Sequence, residues 1–298
     1  MYNGNKLSPV LKGVLVAGFL FLYLPIVSLI VYSFNASKLV TVWGGFSTRW
    51  YVSLFHNEQI LSAVGLSIRI ALASATAAVV LGTVAGFVLA RFKRFRGSTL
   101  FAGMMTAPMV MPEVITGLSM LLLFISMQQL FGQPSERGFF TIWVGHTTLC
   151  MAYVAVVVRS RLIEIDKTLE DAAMDLGARP LKIFFVITLP LISQAIASGF
   201  LLSITLSLDD LVTTAFLSGP GSTTLPQVIF SKVRLGLNPE INALATITVL
   251  IVGIMVVAAN YLMLNAQRNR EKAIAAAMRE NENAQAGPPS SAVSSASA

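Results

Sequence analysis

Three carboxylates interrupt stretches otherwise free of charge: Glu113 in Met111-Pro112-Glu113-Val114, and Asp209-Asp210 in Ser207-Leu208-Asp209-Asp210-Leu211. An acid at a bilayer centre costs about 2.5–3.5 kcal/mol on insertion scales, so it normally faces a polar cavity and a cation. The chemistry that suits such a set is the passage of a cationic solute. Lys232 and Arg234 can instead neutralise these acids, which is the purely structural reading of the same residues. Nucleophilic and metal chemistry find less support. Cys150 is the single cysteine and cannot make an internal disulfide, and His56 and His146 give no ligand cluster for zinc or haem. No Ser/His/Asp set stands out, so His146 reads as a packed or pore-lining residue.

These acids must be positioned by membrane elements. Of 298 residues, 55% are hydrophobic and 12% charged, against roughly 25% charged in soluble domains. Mean hydropathy is +0.74, which excludes a soluble globular protein. Uncharged runs at 13–34, 70–90, 138–158, 183–208 and 241–267 each reach or exceed the roughly 20 residues needed to cross hydrocarbon. A further stretch, 97–135, is interrupted by Glu113 and holds Pro108 and Pro112. It reads as one crossing made by a kinked or broken helix with a short outer segment. The first run has the basic front end of a signal peptide but is too long for one and reads as a retained anchor.

Placing the N-terminus, the 91–98 loop, the 159–182 loop and the C-terminal tail on one side collects 15 of the 21 Lys and Arg there. Both termini are therefore expected in the cytoplasm, with six crossings. The net charge of +7 follows this topology and does not point to nucleic acid. The expected organisation is an all-α, six-helix membrane domain over 1–267, with its long cytoplasmic loop at 159–190. A charged tail over 268–298 follows, without structure from 284.

The longest cytoplasmic loop reads Glu170-Asp171-Ala172-Ala173-Met174-Asp175-Leu176-Gly177, then nine residues, then Ile187-Thr188-Leu189-Pro190. Apolar residues recur at helical spacing, with Gly177 turning the chain and Arg179-Pro180 starting a second helical piece. Such a helix pair is a docking knob for a soluble partner. The pattern resembles the cytoplasmic signature of permease subunits of bacterial ATP-binding-cassette importers: Asp171-Ala172-Ala173, Gly177, Ile187 and Leu189-Pro190 match with the spacing intact. Asp171 replaces the family's Glu, keeping the charge on a shorter arm.

The resemblance covers the chain from the first span to about Leu264 and implies the type I importer permease fold. It implies that the loop, Glu170 included, sits in a groove of a separate ATP-hydrolysing subunit, in two copies, which binds ATP and Mg. This chain needs no cofactor, and it holds no Gly-x-x-x-x-Gly-Lys-Ser/Thr phosphate loop. Further partners implied are a second permease, a paralogue in polyamine systems, and a periplasmic solute-binding protein.

Met-Pro-Glu-Val-Ile-Thr-Gly at 111–117, Ser-Leu-Asp-Asp at 207–210 and Ser-Gly-Pro-Gly at 218–221 look like the polyamine branch of these permeases. Putrescine is the expected substrate and spermidine the next. A diamine's ammonium groups suit Glu113, Asp209 and Asp210, and its methylenes can lie on Phe216, Trp143 or Tyr153. Other solutes remain open within the family. A secondary transporter using Glu113 and Asp209 leaves the cytoplasmic helix pair unexplained and lacks broken inverted halves.

Overall fold

In the computed structural model, residues 8–39, 42–92, 95–236 and 239–285 are described. The helices are α1 (Pro9–Ser33), α2 (Arg49–Phe55), α3 (Glu58–Arg91), α4 (Ser98–Val110), α5 (Glu113–Phe131), α6 (Phe139–Glu164) and α7 (Thr168–Asp175). After them come α8 (Pro180–Ile183), a π-helical turn (Phe184–Thr188), α9 (Leu189–Leu191), α10 (Ser193–Asp209), α11 (Val212–Leu217), α12 (Leu225–Leu235) and α13 (Pro239–Gln285). Five stretches are long and apolar enough to span a membrane: α1, α3, α5, α6 and Pro239–Ala258. The bent pair Pro180–Leu191 and Ser193–Asp209 makes a sixth. The fold is that of an all-helical, multi-span protein. The helical part of the tail continues α13 to Gln285, and residues 286–298 lie outside the described residues.

The boundaries differ from the apolar runs where charge and helix part company. α3 begins at Glu58, twelve residues before the run at Ile70, because the Asn57 side chain caps it by accepting from the Ile60 amide at 3.3 Å. Arg69 is exposed and ends the apolar run without ending the helix. Between α4 and α5 the expected break occurs at Met111-Pro112. Proline disfavours helical geometry in the residue before it, and here Met111 is extended at φ −73°, ψ 140°. The 183–208 run is not one straight helix. It bends by 69° around Ile192, just after Pro190. A proline cannot donate to the preceding turn, and the widened π turn at Phe184–Thr188 absorbs the misfit.

The chain forms two packed units. In the first, comprising 1–37, 43–48 and 242–298, α1 is capped by Ser8, whose hydroxyl accepts from the Leu11 amide at 3.3 Å. After α1, Asn35 Oδ1 accepts from the amides of Ser37 (3.1 Å) and Gly44 (2.7 Å). Phe34 stacks on Phe46 at 5.2 Å.

The second unit, 38–42 and 49–241, holds the core, in which α3, α6 and α10 pack on one another. Hydrocarbon offers helices no hydrophobic drive to associate, so close packing between small residues has to supply it. Along α3, Ala63, Ser67, Ala71, Ser74, Ala78, Gly82 and Gly86 are buried at near-helical spacing. A Cβ on Gly86 would lie 2.7 Å from the Ala155 carbonyl oxygen, and one on Gly82 would lie 2.7 Å from Val154 Cβ. The α3 backbone therefore touches α6 directly. Ala78, Ala90, Cys150, Val154, Val158, Leu162 and Ile192 form the buried cluster at this contact.

Gly86→Ala is expected to destabilise the protein by about 1–3 kcal/mol, whereas Gly103→Ala, whose Cβ meets nothing within 4 Å, should not. Cys150 is fully buried and unpaired. Its reaction with a thiol-reactive dye during heating in detergent reads the difference, and equal melting of the two variants would contradict the backbone contact.

Candidate functional site

The loop at 159–190 is built as the sequence suggests, from two helical pieces joined by a glycine turn. Asp166 Oδ1 accepts from the Thr168 amide at 3.0 Å and so starts α7. That amide holds the Asp166 carboxyl below the usual carboxylate range. Gly177 closes α7 at φ +83°, a conformation costly for residues with a Cβ. Its amide donates to the Met174 carbonyl at 2.8 Å, and the Ala178 amide to that of Ala173 at 3.0 Å.

The two faces of α7 have different neighbours. Asp171, Ala172, Met174, Asp175 and Leu176 are exposed, and Ala173 is half-buried. Leu176 at 89% and Leu181 at 75% are unusually bare for leucine. Glu170 turns inward. Its Oε1 accepts from Arg91 Nη2 at 2.9 Å, Arg91 Nε at 3.2 Å and Thr188 Oγ1 at 2.9 Å. Arg91 Nη1 also donates to the Leu162 carbonyl at 3.1 Å. Ile187 and Leu189 are half-buried, Leu189 packing on the core cluster, while Pro190 is exposed. The exposed Arg161–Glu164 pair, 2.9 Å, contributes little by comparison.

The three acids in the apolar segments meet different surroundings. Glu113 is the exposed first residue of α5. It follows the break at Met111-Pro112 and so does not continue the α4 helix. Asp209 ends α10 and is exposed. Asp210 is buried: Oδ1 accepts from the Thr214 amide at 3.2 Å in the first turn of α11, and Oδ2 lies 3.7 Å from His146 Nε2. His146, fully packed, hydrogen-bonds Ser207 Oγ through Nδ1 (2.7 Å) and Thr214 Oγ1 through Nε2 (2.9 Å). One residue thus joins α6, α10 and α11.

Lys232 and Arg234 serve other partners. Lys232 pairs with Glu240 at 3.2 Å, and Arg234 lies 4.6 Å from the centre of the Phe230 ring. Glu240, which the sequence reading passed over, is buried and also accepts from Ser53 and Asn57. It stands at the edge of an apolar run, where a charge looks like an ordinary flank.

Phe216 occupies the space that a side chain on Gly117 would need, one helical turn from Glu113 on α5. It also lines a cavity of about 490 Å³ with Leu211, Val212, Gln227 and Phe230. Trp143 and Tyr153 are half-buried on α6. The Trp143 ring lies 5.9 Å from that of Phe140.

Residues 80–275 match the family described as binding-protein-dependent transport system inner membrane component. The chain belongs to that family. It is a permease subunit of the ATP-binding-cassette importers and not an enzyme. It is 60% identical to the putrescine transport system permease protein PotI of Escherichia coli K12, over 89% of this chain and 95% of the relative. To the spermidine/putrescine transport system permease protein PotC of the same organism it is 40% identical, over 84% and 92%. A solved bacterial ABC transporter involved in import of the acidic polysaccharide alginate shares the fold, with a TM-score of 0.68 at 18% identity over 85% and 95% of the two chains.

His146→Ala should cost about 1–3 kcal/mol, since it leaves Ser207 and Thr214 without their buried partner. The exposed Asp209→Asn should stay within about 0.5 kcal/mol of wild type. Both are read from Cys150 labelling on heating. Wild-type melting of His146→Ala would mean that this cluster does not hold the corner between α10 and α11.

Proposed function

We propose that this chain is one of two permease subunits of an ATP-driven polyamine importer, with putrescine the preferred substrate and spermidine the next, working by alternating access. The observation that carries this reading is the 60% identity to a putrescine permease over nearly the whole chain. A second permease is required, because one six-span chain supplies only one wall of a translocation path, and the likeness to polyamine systems favours a paralogue over a second copy. A periplasmic binding protein delivers the ligand, and two copies of an ATPase bind ATP and Mg. The protein sits in the bacterial inner membrane, with both termini and the α7 loop in the cytoplasm.

Within that assembly, the exposed face of α7 enters the ATPase groove. Asp171 supplies charge, while Ala172, Ala173 and Gly177 allow close approach. Ile187, Leu189 and Pro190 form the return limb of the knob. The permease domain is 1–267, and the tail from 268 is an accessory. Glu113 and Asp209 face the substrate path. Their exposed carboxylates can meet an ammonium without breaking an existing ion pair among the described residues. Phe216, packed against Gly117, which lies one turn from Glu113 on α5, offers an aromatic face to the methylene chain. Asp210 shapes the same path by holding the α10–α11 corner.

The test is ATP-driven uptake of radiolabelled putrescine and spermidine into proteoliposomes holding the complete importer. Wild type should take up putrescine faster than spermidine. Asp209→Asn should lower uptake about tenfold, equivalent to about 1.4 kcal/mol, with the ATPase still bound. Gly177→Asp should abolish uptake by disturbing the turn. Full uptake by Asp209→Asn would remove the acidic-path argument, and failure of wild type to import either polyamine would remove the substrate assignment.

A further inference from the structure

α7 has an outer face free to meet a partner and an inner face tied to the core, and the tie is concentrated in one carboxylate oxygen. Glu170 Oε1 accepts three hydrogen bonds, two from Arg91 and one from Thr188. The Arg91 and Glu170 side chains are only 8% and 14% exposed. Arg91 is the last residue of α3, Leu162 lies in the last turn of α6, and Thr188 ends the π turn. Four elements therefore meet at one charge-assisted knot, and Arg91 links three of them directly.

We propose that the Arg91–Glu170–Thr188 knot is the joint that passes movement of α7 into α3 and α6, making Arg91, Glu170 and Thr188 positioning residues for coupling. This rests on the reading of the chain as an ATP-driven permease. The physical reason is stiffness. Guanidinium–carboxylate bonds are short and directional, and breaking them in a site shielded from water strands a charge. A displaced α7 therefore takes the ends of α3 and α6 with it. A second contact supports the same path: Phe184 of the π turn packs edge-to-face on Phe87 of α3, with ring centres 5.0 Å apart. Because that contact does not involve Glu170, the loop stays attached to α3 when the charge is removed. Asp171, the signature acid, points outward and takes no part, so docking and transmission are assigned to neighbouring carboxylates.

The experiment uses the complete importer in proteoliposomes and measures ATP hydrolysed per polyamine imported. Glu170→Gln keeps the shape and removes the charge. Thr188→Val removes one bond with little change in shape. Arg91→Lys keeps the charge but loses the fork. Glu170→Gln should raise ATP used per molecule imported about fivefold or more while its ATPase rate stays within about twofold of wild type. Thr188→Val should change in the same direction by less, and Arg91→Lys should lie between wild type and Glu170→Gln. An unchanged ratio in Glu170→Gln and Thr188→Val overturns the proposal. So does a parallel loss of ATPase and uptake, because the knot would then only hold the docking surface in shape. Wild-type uptake that needs no ATP would instead overturn the permease reading itself, so the two failures are distinguishable.

Discussion

Hydrocarbon offers no hydrogen bonds, and the rest of this structure depends on that. In water a broken helix or a stray carboxylate is satisfied by solvent, whereas in the membrane a broken helix must find partners within the protein, and a carboxylate there or in a polar path. The chain breaks its apolar segments at Pro112, around Pro190 and at Asp210, and the freed groups have specific neighbours. The Pro112 carbonyl accepts from the Ile115 and Thr116 amides, Leu189 completes the π turn by donating to Phe184, and Asp210 serves the first turn of α11. Two of these breaks are proline effects. The third uses a side chain to do what the backbone no longer does.

The same constraint explains the core. Leucine gains little by leaving lipid for another leucine, so α3 approaches α6 through glycines, alanines and serines until backbone touches side chain. Contact that close leaves little room for sliding. The helices also share polar bonds: Ser74 donates to the Trp143 carbonyl at 3.4 Å, and Cys150 to that of Ser203 at 3.5 Å. α3, α6 and α10 thus form one body, and the α7 loop is fastened to one end of it.

What the sequence could reveal tracks the range of each interaction. Six spans were legible because length and charge are properties of a continuous segment, and the loop was legible because its signature has fixed spacing. The unequal fates of Asp209 and Asp210 were not legible. They depend on one backbone angle at the end of α10, where Asp210 takes ψ 112°, and on His146, 64 positions earlier in the chain. Arg91 counted only as a topology charge, because Glu170 lies 79 residues away. The N-terminal extension of α3 was missed for a simpler reason: a capping Asn57 outweighs an exposed Arg69, and apolar runs record only the latter.

Two polar knots lie on α6, one at His146 and one at the Leu162 carbonyl. Sixteen residues separate them, about 24 Å of helix at 1.5 Å per residue. The His146 knot gathers α10 and α11 beside the two adjacent acids, while the Leu162 knot gathers α3, α7 and the π turn. Between them lies the glycine-lined contact of α3 with α6. A body fastened at both ends and packed to backbone contact in the middle resists bending, so a push at the α7 end reaches the α11 end as displacement. On this geometry the breaks in the apolar segments have a mechanical meaning. The break at Met111-Pro112 falls outside the α3–α6–α10 body, whereas the 69° bend is held, because Ile192 is fully buried in that body's cluster. Glu113 therefore follows a joint in the chain, while Asp209, the last residue of α10, is carried by the body itself.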